Sequence, residues 1–529
     1  MVEASGISVL ESEQAMTVSI KETLSMEISD DRPASPVLAA SQQWSGSSAC
    51  RRVIIWDHDI SPELVRHLGE GGFEVVATIQ GAVEGVPSYT IGDLQQGVRP
   101  REDVPDLPRL VPDPEFLQRY ARCVSRIGLI PGTGAIEFND GGALDVSEVH
   151  HLAAIHLEKA VRLLHLHRAA EVWFFTIPHL GVDIAIDYAA KCLGLKVIAL
   201  RQLPVPMKFQ YSVWRGFERI SLTGLRFQTW TTGAQDLNLF YMKPRLWEPV
   251  IPGLFRRAVD FLGLLARGEF AELLGRGWRA ARDRGWWNVA AMLQLLDRRT
   301  LRQAAFAISR RRESNQARAL RRMACPEDFE LPFVYFAMHY EPEANIDVYG
   351  GKWLSQVDTI ERLSDALPPN WKVILKENPK QTHVRRPALF YQRIARLNSV
   401  VWASDAIDTA QLLGRSTLAA THCGTVGWES LAVGRSFVYF GDPWYAGLPG
   451  ATKWSEGLKL AELASRRVVR EDLDAAANEL LSKAADGLIY MRQAVLLPDG
   501  IDRASAAAIT SRSLVTISRA ADEASGEGN

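Results

Sequence analysis

The sequence predicts an α/β protein built from two doubly wound domains facing a cleft, with an arginine-rich helical insert between them. Three observations carry that prediction. The 529 residues suit a few domains of about 150 residues each. Hydrophobic residues make up 47% and charged residues 23%, the balance of a globular chain. Short apolar runs alternate with amphipathic stretches of helix length before residue 245 and again after residue 331, which is the rhythm of parallel β-α-β units.

Residues 1–49 mix Glu3, Glu11, Glu13, Glu22, Glu27, Asp30 and Asp31 with Ser and Ala and contain no apolar signal core, so a disordered leader is expected. The first domain, 50–245, opens on the apolar run Arg52-Val-Ile-Ile-Trp-Asp57, a buried strand. Ser61 and Pro62 start the next helix, because Ser satisfies first-turn amides and Pro fits the first helical position. Phe73 to Ile79 is the following strand. A Pro-rich stretch from Gly97 to Pro114 reads as irregular. A helix from Ser147 to about Ala170, a strand from Glu171 to Thr176, a helix from Asp183 to Leu193 and a strand from Lys196 to Leu200 repeat the unit.

The second domain, 331–515, carries strand patterns at Phe333–Met338, Lys372–Lys376, Val400–Trp402, Thr417–Thr421 and Ser436–Phe440. Helical patterns lie between them at Gln356–Leu367, Pro387–Leu397, Thr409–Leu413 and Gly427–Val433. Residues 516–529 read as a disordered tail.

Charge and cysteine content exclude several classes. Lys+Arg 60 against Asp+Glu 62 leaves a net charge of -2, so no overall basic field recruits nucleic acid. Cys50, Cys123, Cys192, Cys325 and Cys423 form no C-x-x-C pair, which argues against a zinc module or a disulfide framework and for a reducing cytoplasm. No apolar run approaches the roughly 20 residues that span a bilayer. The segment 246–330 differs from the rest: Arg256 to Arg322 holds sixteen Arg, no Lys and six acids, with Trp278, Trp286 and Trp287 among them. Two readings stand, arginines that are solvated or brace the domains, and a peripheral surface that meets anionic lipid at the inner face of the inner membrane.

Three stretches could carry chemistry. Thr421-His422-Cys423-Gly424-Thr425-Val426-Gly427-Trp428-Glu429 joins a strand end to a helix start. Its glycines are expected to admit a phosphate to the backbone, with Glu429 accepting from ribose hydroxyls; a plain tight turn with a favourable helix-end charge is the alternative. Lys376-Glu377-Asn378-Pro379 ends another strand and offers a cation to a leaving phosphate, or else a solvent-facing ion pair. His339 leaves the first strand of the second domain beside Glu341 and Glu343, carboxylates expected to raise its pKa and hold it protonated against an anion.

Taken together, Gly424-Thr425-Val426-Gly427-Trp428-Glu429-Ser430-Leu431, Phe440-Gly441-Asp442-Pro443-Trp444-Tyr445, His339-Tyr340-Glu341-Pro342-Glu343 and Lys376-Glu377-Asn378-Pro379 resemble the capsule polysaccharide biosynthesis family, which includes bacterial β-Kdo transferases of the GT-B fold. Thr176-Ile-Pro178-His179-Leu-Gly-Val-Asp183 adds a looser fifth motif. The resemblance implies a GT-B glycosyltransferase without metal or cofactor that takes a nucleotide sugar, CMP-Kdo among the candidates, and a polysaccharide or lipid-linked glycan acceptor. One departure stands out: the family's Lys-Glu-His-Pro histidine is Asn378 here. Asn carries no charge, so Lys376 or His422 would have to supply more of the phosphate stabilisation.

On this reading the donor meets Gly424, Thr425, Gly427, Glu429, Lys376, Asn378, His339, Glu341 and His422. The acceptor hydroxyl needs a general base, for which the candidates are Asp183, His179 and Asp57. Two other functions fit the same shape: a sugar-nucleotide epimerase or hydrolase, and a non-catalytic glycan-binding or assembly protein of polysaccharide export, which Asn378 favours.

Overall fold

The computed structural model describes residues 50–57, 59–96, 107–127, 146–227, 312–341, 344–353, 355–378, 381, 386–489, 497 and 500–526. The leader 1–49 and most of the arginine-rich insert, including Trp278, Trp286 and Trp287, lie outside the described residues.

The first unit is built on strands β1 (Arg51–Asp57), β2 (Phe73–Gln80), β3 (Ser88–Tyr89), β4 (Glu171–Phe174), β5 (Lys196–Gln202), β6 (Lys208–Arg215) and β7 (Glu218–Ile220). The second uses β8 (Phe333–Ala337), β9 (Lys372–Lys376), β10 (Val400–Trp402), β11 (Leu418–Thr421), β12 (Phe437–Tyr439) and β13 (Ala451–Lys453), after which β14 (Ala485–Asp486) returns to the first sheet. The sheet orders are β14-β6-β5-β4-β1-β2-β3, with β7 on β6, and β10-β9-β8-β11-β12-β13. Each first strand has its two successors on one side and the later strands on the other, which makes both units Rossmann-like and the chain GT-B-like in architecture. Pairing is parallel throughout the second sheet, whereas β6 runs antiparallel to β5, β7 and β14.

Alternation along each strand explains the layers. Ile54, Trp56, Val172 and Phe174 enter one core with the helices Val146–Leu166 and Val182–Cys192, while Val53, Ile55 and Trp173 enter the other. Phe333 and Tyr335 are likewise separated from Val334 and Phe336. A strand covered on both faces can be apolar at every position of its buried run, as Val53–Trp56 of β1, Val172–Phe174 of β4 and Phe333–Phe336 of β8 are.

The C-terminus departs from expectation. In place of a disordered tail from residue 516, a helix spans Arg503–Ala524 and packs on the first sheet through Ala506, Ala507, Leu514, Ile517 and Ala521. Asp502 caps its N-terminus by accepting the Ser505 amide at 2.8 Å. Small residues at helical spacing let it lie close to the strands, and it is anchored by Lys196, which is 2% exposed. Lys196 Nζ bonds Glu171 Oε1 at 3.1 Å and the Ser518 carbonyl at 2.9 Å, and pairs with Asp522. Among the described residues no helix is long and apolar enough to cross a membrane.

Candidate functional site

Where strand order reverses in a parallel sheet, the flanking loops diverge and leave a crevice at the carboxyl ends, which is where such sheets hold ligands. Here the reversals fall between β8 and β11 in the second sheet and between β1 and β4 in the first. His339 and Glu341 follow β8, Thr421 to Glu429 follow β11, Asp57 ends β1, and His179 and Asp183 follow β4. Lys376 and Asn378 lie one strand out, at the end of β9.

The second crevice is organised around Thr421. Its Oγ1 accepts the Gly424 amide at 3.0 Å and lies 3.1 Å from His339 Nε2; the Cys423 amide donates to the same Nε2 at 3.4 Å. Nε2 is therefore an acceptor and the ring is neutral. Burial, reinforced by the nearby Arg386 charge, pushes the His339 pKa down to about 4. The expectation of a protonated His339 is thus overturned. The carboxylate meant to raise it, Glu341, is claimed by Arg386, and Glu343 lies outside the described residues. His422 is buried as well, its Nε2 2.8 Å from Thr359 Oγ1. Burial, His339 and Arg386 hold its pKa well below the usual value, so His422 cannot lend charge to a phosphate.

The two glycines serve the protein's own packing. A Cβ on Gly424 would lie 2.8 Å from His339 Cε1 and from Thr421 Oγ1, and one on Gly427 would lie 2.4 Å from the Phe437 ring and 2.7 Å from the Tyr445 hydroxyl. The Gly427 amide also donates to the Gly424 carbonyl at 3.3 Å. The helix that begins here, Val426–Ala432, has only 7 residues. The expectation that these glycines open the backbone to a phosphate is therefore corrected: side chains of the fold occupy the space a Cβ would need.

Glu429 stands apart. It is 6% exposed; the hydroxyl of the exposed Thr425 donates to its Oε1 at 3.0 Å, while Oε2 has no hydrogen-bond partner among the described residues. Burial raises its pKa, opposed by the Thr425 bond and assisted by Asp408. Buried polar atoms are nearly always paired, so a carboxylate oxygen left over at the crevice suits a ligand hydroxyl.

Lys376 turns inward, its Nζ donating to the carbonyls of Ser404 at 3.4 Å and Asp405 at 3.2 Å, and burial lowers its pKa. It braces the loop after β10. Asn378 sits in a turn, its amide donating to Glu377 Oε1 at 3.1 Å and its carbonyl accepting the Gln381 amide at 2.9 Å.

Sequence reasoning missed Arg386. Only 2% exposed, it reaches Glu341 Oε2 at 2.5 Å, Glu377 Oε1 at 2.9 Å and the His339 carbonyl at 2.7 Å. One guanidinium thereby ties the loops after β8 and β9, using the fork geometry that lysine lacks. The signal was present: carboxylates just beyond two adjacent parallel strands come together in space and demand a shared cation.

In the first crevice Asp183 is fully buried and spends its oxygens on the amides of His179 at 2.7 Å, Leu180 at 2.7 Å and Ile184 at 2.8 Å. That is a capping role at the start of the helix Val182–Cys192. Asp57 is 2% exposed and accepts the Asp59 amide at 3.1 Å. His179 is half-buried, and its Nδ1, bonded to the Ile177 carbonyl at 2.7 Å, must carry the proton, leaving Nε2 as the basic nitrogen.

The two units touch where Arg201 near the end of β5 donates to the Asp442 carbonyl beyond β12 at 3.2 Å. No family model matches the chain, and no curated protein matches its sequence. Among solved structures the chain is similar to a KpsC beta Kdo 2,7 transferase of Thermosulfurimonas dismutans, with 15% identity over 33% of this chain and 53% of that one and a TM-score of 0.21. The chain therefore spans about half the length of that structure. It is similar to a KpsC beta Kdo 2,4 transferase of the same organism at 15% identity, covering 59% and 79% of the two chains with a TM-score of 0.28. The third similarity is to an E. coli structure described as trehalose-6-phosphate bound with UDP-2-fluoro glucose, at 9% identity over 81% and 94% of the chains and a TM-score of 0.27. The Rossmann-like character of both units rests on their strand orders.

Proposed function

We propose that the chain is a glycosyltransferase that takes a sugar from a nucleotide sugar held at the β8–β11 crevice and transfers it to a glycan acceptor at the β1–β4 crevice. The observation that carries this is Glu429, whose Oε2 is buried without a partner among the described residues while Oε1 is fixed by Thr425. A ribose offers vicinal hydroxyl donors to such an oxygen. His179, with Nε2 as its basic nitrogen, is the group that takes the acceptor proton. The motif resemblance supports a bacterial surface polysaccharide as the acceptor and CMP-Kdo as one donor to try first.

The test is product analysis after incubation with CMP-, UDP- and GDP-sugars and oligosaccharide acceptors, in excess chelator. Transfer without added metal is expected, because the motif resemblance implies a metal-independent enzyme. Nucleotide release that needs no acceptor would mark a hydrolase or epimerase. In the same protein Glu429→Ala should weaken donor binding by about 1–3 kcal/mol, the usual cost of losing a hydrogen-bonded charge. Equal affinity in a titration would return Glu429 to a structural role.

One observation favours a second reading. His339 and His422 are both neutral and Lys376 is engaged by two carbonyls, which leaves less positive charge at this crevice than a departing phosphate calls for. A non-catalytic glycan-binding protein would need none. Glycan binding with neither nucleotide binding nor turnover over every donor and acceptor tried would select it; tight nucleotide binding would count against it.

A further inference from the structure

The loop after β12 touches both the β8–β11 crevice and the first unit. Its Tyr445, fully buried, donates its hydroxyl to the Gly424 carbonyl at the turn described above. The Gly441 amide donates to the His422 carbonyl at 2.9 Å and the Asp442 amide to the Tyr349 carbonyl at 2.7 Å, so the loop is laced to the end of β11 and to the turn at Tyr349. Trp444 packs against Trp428 of the short helix in a tilted pair, with ring centroids 4.8 Å apart.

From the other side, the β5–β6 hairpin of the first unit sits on the same loop. Arg201 donates to the Asp442 carbonyl and holds its guanidinium 3.7 Å above the Tyr349 ring. Gln210 Nε2 donates to the Trp444 carbonyl at 3.3 Å, and Leu203 and Val205 join Trp444 and Tyr445 in one apolar cluster. A continuous set of contacts thus runs from the first unit through Asp442 and Trp444 to the Tyr445 hydroxyl and the Gly424 carbonyl.

We propose that Tyr445 is a positioning residue for the β8–β11 crevice, fixing the Gly424 turn through its hydroxyl while Arg201 of the first unit holds the loop in place. The turn is then set for a ligand only when the two units are docked. Tyr445 touches no ligand on this account; it acts through Gly424, whose amide belongs to the Thr421–His339 network. The inference rests on the proposed function only for the identity of the ligand.

Tyr445→Phe removes the hydroxyl and keeps the ring, and Arg201→Ala removes the clasp from the first unit. Hydrogen exchange on the full chain reads the turn directly. Both variants should speed exchange of peptides covering Thr421–Glu429 by about 5- to 10-fold, the loss expected for one hydrogen bond of ordinary strength, with β1 and β4 unchanged. Titration with CMP, UDP and GDP should show the same fold-loss in affinity for whichever the unaltered protein binds. Unchanged exchange in Tyr445→Phe overturns the positioning role. Faster exchange in Tyr445→Phe alone overturns the link to the first unit. If the unaltered protein binds none of the three nucleotides, the proposed function fails while the exchange comparison still decides this inference.

Discussion

Replacing Arg386 by alanine is expected to destabilise the protein by about 3–5 kcal/mol, because removing one member of a buried ion cluster strands the others. Arg386 neutralises Glu341 and Glu377, caps the His339 carbonyl, and lies 4.7 Å from the Phe390 ring centroid. Without it two carboxylates with little exposure share one small volume. The loss is read from the urea midpoint of unfolding at constant slope. A second variant separates charge from packing: Arg386→Met combined with Glu341→Gln and Glu377→Gln should recover much of the stability, since neutral partners carry no stranded charge. Its nucleotide binding should stay impaired, because the guanidinium that ties the β8 and β9 loops is gone and the Gln381 bonds to the Glu341 backbone remain without it. If Arg386→Ala unfolded at the midpoint of the unaltered protein, the cluster would have no part in holding the crevice.

Lys196→Ala should cost a similar amount, about 3–5 kcal/mol, for the same reason, but at the opposite end of the chain's path. Lys196 is the buried cation between Glu171 of β4 and Asp522 of the C-terminal helix. Ser518 completes the cluster, its hydroxyl 2.8 Å from Glu171 Oε1 and its carbonyl accepting from Lys196. Arg51 and Arg215 also reach Asp522, so the helix should loosen without detaching completely. Limited proteolysis should cut within 503–524 in the variant first, while the helices of the second unit stay protected. An unfolding midpoint within about 0.5 kcal/mol of the unaltered value, the range of an ordinary surface change, would contradict this account of how the last helix is held.

Most of the sheet architecture was legible because strands buried on both faces read as uninterrupted apolar runs. β1, β4, β8, β9 and β11 all announce themselves this way, and their loops carried the candidate residues to both strand-order reversals. The Arg503–Ala524 helix was not legible for the converse reason. Its buried face is Ala, Ser and Thr with a single Leu, a single Ile and Asp522, a composition shared with linkers, and only the distant Lys196 shows why an aspartate near its end is buried. β6 was hidden because Lys208, Gln210, Ser212 and Arg215 interrupt its apolar positions.

At the site, residue types were easier to find than roles. A glycine at a turn looks the same whether a ligand or a neighbouring ring needs the space; Phe437 and Tyr445, distant in sequence from Gly427, decide it. His339 was read from its neighbours along the chain, two carboxylates, whereas Arg386, 47 residues away, settles its charge. Asp183 was assigned from its place at a strand end, and three amides of its own loop claim it. Glu429 lies in the first helical turn that the sequence suggested, with one oxygen buried and unpaired among the described residues.

The central claim is that the β8–β11 crevice holds a nucleotide sugar against Glu429. Hydrogen exchange of the full chain with and without a saturating nucleotide sugar from the CMP, UDP and GDP series tests it most directly. The account predicts slowed exchange in peptides covering Leu418–Ser430 and Val334–Glu341, and loss of that protection in Glu429→Ala at the same ligand concentration. Protection confined to other strand ends, or undiminished in Glu429→Ala, would contradict it.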